Sequence, residues 1–149
     1  MNKNRNAFTL IEVLIVVIIM AVLAATIIPQ FSSSTEDAKR STLDFNLHTI
    51  RSQIEMYKVH HLGKVPSLAN FEKQMTEKTN VQGGFTGDTA YGPYIQGQIP
   101  ANPFNHSNEV VAVAAAGTVP TAVVAGDAGW QYDESTGGFY PNNPDWFQE

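Results

Sequence analysis

The chain has 149 residues, no cysteine and a formal net charge of −5 at pH 7. The absence of cysteine excludes disulfides and thiolate metal sites. The acidic balance excludes nucleic-acid binding through bulk charge. A chain of this length suffices for one small domain with its own core and an apolar segment at one end.

The most informative segment lies near the amino terminus, where residues 8–28 form an apolar run with a single charge, Glu12. As a helix with a rise of about 1.5 Å per residue, this run spans about 30 Å, the thickness of a bilayer's hydrocarbon core. Lys3 and Arg5 precede it. The positive-inside rule therefore predicts that residues 1–7 stay in the cytoplasm and that the rest of the chain lies outside it.

Two ordinary interpretations compete for this segment. A secretory signal peptide fits the basic start and the small residues around a cut before Ala25. A simple signal anchor fits the length and the orientation, but it leaves Glu12 unexplained. A charged side chain at the centre of a lipid-facing helix costs about 2.5 to 3.5 kcal/mol on insertion scales. Glu12 is therefore expected to have a partner.

A second half of the same helix is predicted downstream. Apolar residues recur three or four positions apart, which places them on one helical face: Leu43, Leu47, Ile50, Ile54 and Tyr57. The pattern predicts a helix over residues 8–61 that Pro29 interrupts without ending it. Gly63 and Pro66 stop this helix.

Shorter elements follow the long helix. Ser67 is the predicted cap of a helix that ends near Lys78, and glycines and prolines make residues 80–108 a long loop. Strands are predicted at residues 110–114, 121–125, 130–133 and 139–140. The predicted fold class is α+β, with a long amino-terminal helix packed on a small antiparallel β-sheet.

The letters A-F-T-L-I-E at residues 7–12, which run into the apolar segment, resemble the type IV pilin superfamily. The resemblance implies a pilin-like lollipop in three parts: a leader at 1–7, the transmembrane half of the helix at 8–35 and an extracytoplasmic domain at 36–149. It also implies that a prepilin peptidase cuts between Ala7 and Phe8 and that Phe8 is N-methylated. The family usually has glycine before the cut, so Ala7 is a departure.

The same resemblance implies three assembly residues. Glu12 becomes the fifth residue of the mature chain, where it can neutralise the Phe8 ammonium of a neighbouring subunit and favour a staggered packing of helices. Pro29 stands where the family has a proline. Phe8, Glu12 and Pro29 are therefore expected to act in the assembly of a helical homo-oligomeric filament.

Later segments are similar to the major pseudopilins of type II secretion systems. They are R-S-Q-I-E-M-Y-K-V-H-H-L-G-K-V-P at 51–66, G-P-Y-I at 92–95, I-P-A-N-P-F at 99–104 and G-W-Q-Y-D at 129–133. This similarity implies a single-pass protein of the bacterial inner membrane with a periplasmic domain. It also implies that minor pseudopilins and an inner-membrane assembly platform are partners in protein secretion, without nucleic acid.

Two alternative functions stay open. One is a subunit of a surface fibre for adhesion, motility or DNA uptake. The other is a membrane-anchored binding domain that never polymerises. The charge of Glu12 distinguishes this last alternative, because only a polymer is expected to depend on it.

This function requires no cofactor, but calcium binding is left open. Major pseudopilins typically bind calcium in an acidic, glycine-rich loop near the carboxyl end, and no such loop aligns here. Asp127, Asp133 and Glu134 are the candidate ligands because they lie close in sequence. A solvated acidic face is the competing interpretation of these residues.

No enzymatic activity is expected. The histidines show no metal-ligand spacing, and the sequence contains no phosphate loop or nucleophile elbow. His60 and His61, at a helix end, are predicted to face solvent. The four histidines are His48, His60, His61 and His106.

Overall fold

A computed structural model describes residues 8–124 and 126–144, without the side chains of residues 28–32. Contacts divide the chain into two compact units, Met1–Ala38 and Lys39–Glu149. The described part of the first unit is helical apart from its first two residues. The second unit contains the hydrophobic core and the sheet.

The long predicted helix is confirmed as α1, Leu10–His60, which continues through Pro29. It ends where Leu62 and Gly63 adopt positive φ angles of 59° and 81°. The Gly63 N–H donates to the Lys58 carbonyl at 2.8 Å. This bond satisfies one of the carbonyls that a helix leaves open at its end, and glycine adopts the required left-handed conformation without strain.

One face of α1 forms one side of the hydrophobic core in the second unit. The predicted stripe is fully buried: Leu43, Leu47, Ile50, Ile54 and Tyr57. Its partners come from a short helix and from the sheet: Phe71, Met75, Trp130, Tyr132 and Phe139. Because burial of each such apolar side chain contributes about 1.5 to 3 kcal/mol, these contacts hold helix and sheet together.

The helical region after α1 is shorter than predicted. In place of one helix that ends near Lys78, a 3-10 turn at Leu68–Asn70 leads into α2, Phe71–Thr76. The prediction of a side-chain cap at Ser67 was wrong, because its hydroxyl makes no capping bond. The Ser67 N–H and hydroxyl instead donate to Gln74 Oε1, at 2.7 and 3.3 Å.

Three short strands form one sheet in the order β1-β2-β3: β1 is Val110–Ala112, β2 is Trp130–Asp133 and β3 is Gly138–Pro141. β2 and β3 pair antiparallel, as predicted, but β1 runs parallel to β2. The prediction of an antiparallel sheet was therefore wrong for β1. The connection over residues 113–129 is long enough for the crossover that parallel neighbours require.

Residues 121–124, the described part of the strand predicted at 121–125, belong to no strand. Side-chain amides bind this segment instead. Asn142 accepts a hydrogen bond from the Val124 N–H at 2.9 Å and donates to the Val124 carbonyl at 3.1 Å. Gln131 Nε2 donates to the Ala122 carbonyl at 3.1 Å. The prediction was wrong because these amides occupy backbone groups that a neighbouring strand would use.

Leu47→Ala is expected to lower the free energy of unfolding by about 2 to 5 kcal/mol, because truncation of a fully buried leucine leaves a cavity. Phe45→Ala is the matched control: Phe45 lies on the same helix but is 70% exposed, so a change of at most about 0.5 kcal/mol is expected. Urea titration of the full chain in detergent, followed by tryptophan fluorescence, measures both variants. Equal losses would contradict this description of the core.

Candidate membrane and assembly site

The first unit presents an exposed apolar helix surface. Within the described residues, Leu10–Ile27 is the one segment that is long and apolar enough to cross a membrane, and none of its side chains is buried by the chain itself. An apolar surface of this size requires lipid or other protein chains around it. This segment is therefore the candidate membrane anchor and assembly surface.

The start of α1 is closed by reciprocal hydrogen bonds between Thr9 and Glu12. The Thr9 N–H and hydroxyl both donate to Glu12 Oε2, at 2.8 and 2.7 Å, and the Glu12 N–H lies 3.3 Å from the Thr9 hydroxyl oxygen. Thr9 immediately precedes the helix and Glu12 is its third residue, so the pair forms a capping box. The pair satisfies backbone donors at the helix start, where lipid offers no substitute.

This capping role of Glu12 was missed in the sequence. The available signal was T-x-x-E directly before an apolar run, the sequence signature of a capping box. The carboxylate therefore has a partner within its own chain, besides the neighbouring ammonium that is predicted for it. A glutamine preserves the capping hydrogen bonds without the charge, so the two roles can be separated by mutation.

The other residues of the predicted site lie at or beyond the ends of this segment. Ala7 is outside the described residues, Phe8 directly precedes the cap and is 86% exposed, and Pro29 lies within α1 with its side chain outside the description. Cleavage after Ala7, methylation of Phe8 and the assembly roles of Phe8, Glu12 and Pro29 stay predictions.

The three candidate calcium ligands do not converge on one point. Asp133 is buried at the end of β2, and Asp127 is exposed. Glu134 Oε2 accepts a hydrogen bond from the Leu68 N–H at 3.0 Å. Within residues 8–124 and 126–144, no group of three or more His, Asp or Glu side chains is placed to hold a metal ion. Calcium binding stays a prediction.

Asp133 instead stabilises the turn between β2 and β3. Its Oδ2 accepts hydrogen bonds from the Gly117 N–H at 2.7 Å and the Thr136 hydroxyl at 2.9 Å. Its Oδ1 accepts from the Ser135 N–H at 2.9 Å and the Ser135 hydroxyl at 2.6 Å. Burial raises the pKa of Asp133, but these hydrogen bonds to the charged form outweigh burial and hold the pKa at about 2.

His61 is fully buried, so the prediction that it faces solvent was wrong. Its ring stacks on Tyr57 with centroids 3.7 Å apart. Its Nδ1 lies 2.8 Å from the Tyr57 carbonyl oxygen, and its Nε2 lies 2.9 Å from the Thr79 hydroxyl. The signal was available in the sequence, because His61 follows Tyr57 by four positions and so continues the buried stripe. These contacts join the end of α1 to the segment that precedes the long loop.

Comparisons with known proteins point to one class. A family described as the prokaryotic N-terminal methylation motif matches residues 2–28. Type II secretion system core protein G of Vibrio cholerae is 24% identical over 135 residues, which are 91% of this chain and 89% of the relative. Core protein G of Pseudomonas aeruginosa is 35% identical over 57 residues, 38% of this chain and 40% of the relative. ComG operon protein 3 homolog of Bacillus licheniformis is 28% identical over 79 residues, which are 53% of this chain and 81% of the relative.

The chain is a type IV pilin-like protein. Its α+β fold, a long amino-terminal helix followed by a small sheet, agrees with this class, although no solved structure matches it. Proteins of this class are structural subunits and not enzymes, which confirms the prediction that the chain is not an enzyme. The methylation motif and the apolar helix together indicate that the pilin-like chain is made as a membrane-anchored precursor.

In this pilin-like protein, Asp133→Asn is expected to lower the melting temperature at neutral pH. The folded pKa of Asp133 is about 2, below the unfolded value of about 3.9. Its stabilising contribution is therefore fully present above pH 4 or so and is lost as the pH falls towards about 2. The difference in melting temperature between the wild type and Asp133→Asn should shrink over that window.

Asp127→Asn is the control, because Asp127 is exposed and lies outside the turn. Melting curves between about pH 2 and pH 7 measure all three proteins. Parallel curves for the wild type and Asp133→Asn across the acid range would contradict the role assigned to this carboxylate.

Proposed function

We propose that the chain is a major pseudopilin, the main subunit of a filament that drives protein secretion. The observation that carries the proposal is the extent of one match. The similarity to core protein G of Vibrio cholerae covers 91% of this chain, so it includes the second unit as well as the methylation motif. A match confined to the first helix would not distinguish secretion filaments from other pilin-like assemblies.

Charge pairing provides a mechanism of assembly. Cleavage before Phe8 creates an ammonium group beside the apolar segment, and such a group is costly among lipid tails or helices without a negative partner. Glu12 of a neighbouring copy supplies that partner. Because the ammonium and the carboxylate lie at different heights on identical chains, pairing offsets each copy from the next. A buried pair of this kind contributes more to register than to net stability.

The charges of the leader support one orientation. Lys3 and Arg5 favour a cytoplasmic leader. In this proposed orientation the apolar segment anchors the precursor in the inner membrane, and the second unit lies in the periplasm. In this role the partners are prepilin peptidase, further copies of the chain, minor pseudopilins and an inner-membrane assembly platform.

A second candidate function is a surface fibre for DNA uptake, and two similarities favour it. ComG operon protein 3 homolog of Bacillus licheniformis matches 53% of this chain, and competence protein ComGC of Bacillus subtilis is 27% identical over 48% of it. Deletion of the gene separates the two functions. Loss of exoprotein release with intact DNA uptake supports the secretion filament, and the reverse result supports the fibre.

Mass spectrometry of the mature protein is expected to find a methylated phenylalanine, Phe8, at the amino terminus. Ala7→Gly is the matched variant, because it restores the residue that usually precedes the cut in the resembled family. Its precursor should disappear at least as fast as that of the wild type. A mature chain that begins at Ala25 would instead support a cleaved signal peptide, and a chain that retains its leader would support a simple anchor.

Two substitutions of Glu12 separate charge from capping. Glu12→Gln keeps the capping geometry and removes the charge, whereas Glu12→Ala removes both. Charge pairing predicts that both variants reach the membrane and that neither yields sedimentable filaments. Filaments from Glu12→Gln but not from Glu12→Ala would show that capping is the important role. Normal filaments from both variants would contradict assembly through Glu12.

A further inference from the structure

β1 is an edge strand of the sheet, and its outer side is open. In the parallel pairing with β2, Val110 lies opposite Trp130. The Trp130 N–H donates to the Glu109 carbonyl at 3.1 Å, so the bonds to β2 come from the residues that flank Val110. The same pattern applies to Ala112, because the residue after it donates to the Tyr132 carbonyl at 3.1 Å. The N–H and C=O groups of Val110 and Ala112 therefore point away from β2.

These outward backbone groups make no hydrogen bond to any other residue of 8–124 and 126–144. Proteins usually protect such an edge with a lysine, a proline or a covering segment, because it is a template for pairing with another chain. Residues 110–113 read V-V-A-V and contain neither a charge nor a proline. Ala112, the last residue of the strand, is exposed. The outer edge of β1 is therefore an unprotected site for a further strand.

A groove in two parts borders β1. The first part, about 450 Å³, lies between the start of α2 and residues 108–110. The second part, about 420 Å³, lies between Leu68 and residues 112–113. Leu68 lines both parts, so they adjoin each other. Extended peptides bind at such edges by adding a strand: main-chain hydrogen bonds give affinity, and pockets for alternate side chains give specificity.

The groove is acidic at its rim and apolar between the charges. Three exposed carboxylates line it, Glu72, Glu109 and Glu134, against one lysine, Lys73. Residues 79–149 as a whole contain no lysine or arginine. The charge that complements this groove is therefore positive, and the side chains that fit its apolar part, around Leu68, are aliphatic.

We propose that the outer edge of β1 binds an extended segment of another protein, one that combines aliphatic residues with lysine or arginine. The segment pairs with the outward groups of Val110 and Ala112 as a fourth strand of the sheet. Its aliphatic side chains pack against Leu68, and its basic side chains lie among the carboxylates of the groove. The inference does not rest on the proposed function, because the edge and the groove belong to a single copy of the chain.

A second copy of this chain is a less suitable partner for the edge. Pairing of β1 with another β1 would bring two acidic grooves together, and like charges across paired strands are destabilising. The basic residues after the leader lie in or close to α1 and α2, and none of them lies in a strand of the described sheet. The chain therefore offers no basic strand of its own to this edge.

Fluorescence anisotropy tests the inference with the full chain in neutral detergent. The probe is a labelled peptide of about eight residues in which valine alternates with lysine, and we expect it to bind saturably. One control peptide has glutamate in place of lysine, and the other has a methyl group on every backbone nitrogen, which removes its main-chain donors. Each control is expected to bind at least about tenfold more weakly, because it lacks either the charge or the strand pairing.

Two substitutions of Ala112 test the same contact from the side of the protein. Ala112→Pro removes an outward N–H that makes no bond to β2, and proline is tolerated at such positions of edge strands. Ala112→Val is the matched control, because it keeps the N–H and adds similar bulk. We expect Ala112→Pro to weaken binding of the valine–lysine peptide about tenfold and Ala112→Val to change it at most about twofold. Melting temperatures confirm that both variants fold.

Each outcome decides the inference. Absence of binding up to about 1 mM valine–lysine peptide overturns it. Equal binding of the methylated peptide would show that no strand is added, and equal binding of the glutamate peptide would show that charge does not select the partner; either result overturns it. Dimers of the chain that Ala112→Pro abolishes would show that the edge binds a second copy instead. If Ala112→Pro does not fold, the comparison of the three peptides on the wild type still decides.

Discussion

A single copy of this chain leaves the apolar side chains of Leu10–Ile27 exposed. The rest of the structure depends on this uncovered surface. Water around so many exposed apolar side chains is unfavourable, so the segment must lie in lipid or among other chains. In the second unit, by contrast, the apolar face of α1 is covered by side chains of α2 and the sheet. One helix thus combines a segment that requires an external partner with a segment that completes a core.

The role of Glu12 depends on the apolar surface that surrounds it. A carboxylate in a lipid-facing helix is unfavourable, and the capping box with Thr9 reduces that cost by giving the charge two donors and the dipole of the helix start. The cap also holds the carboxylate near the first turn, close to the position where cleavage would create a new ammonium. Local capping and pairing between copies are therefore compatible, and the first can prepare the second.

In the second unit, hydrogen bonds between polar side chains and the backbone hold the loops that surround the three short strands. Asp133 holds the turn between β2 and β3 and reaches Gly117 in the preceding connection. Asn142 and Gln131 bind the backbone of residues 122–124. Buried polar groups need such partners, and within the described residues Gln131 Oε1 is the buried side-chain oxygen or nitrogen left without one. Short strands are sufficient because these bonds fix the loops around them.

Features with a local cause could be predicted from the sequence. The apolar length of residues 8–28 and the spacing of Leu43, Leu47 and Ile50 predicted the helix and its buried face, because helical periodicity and bilayer thickness act over neighbouring residues. The pairing of β2 with β3 was predictable for the same reason, since a short turn joins antiparallel strands. The capping box was also local, and its signal was present in T-x-x-E but was not used.

Features with a distant cause were decided only by the tertiary structure. The parallel pairing of β1 depends on β2, which lies beyond a connection of residues 113–129. The loop at residues 121–124 depends on hydrogen bonds with the side chains of Asn142 and Gln131, which lie later in the chain. Short Ala- and Val-rich segments have similar local preferences as strand or loop, so the hydrogen-bond partner that folding brings to them determines which they become.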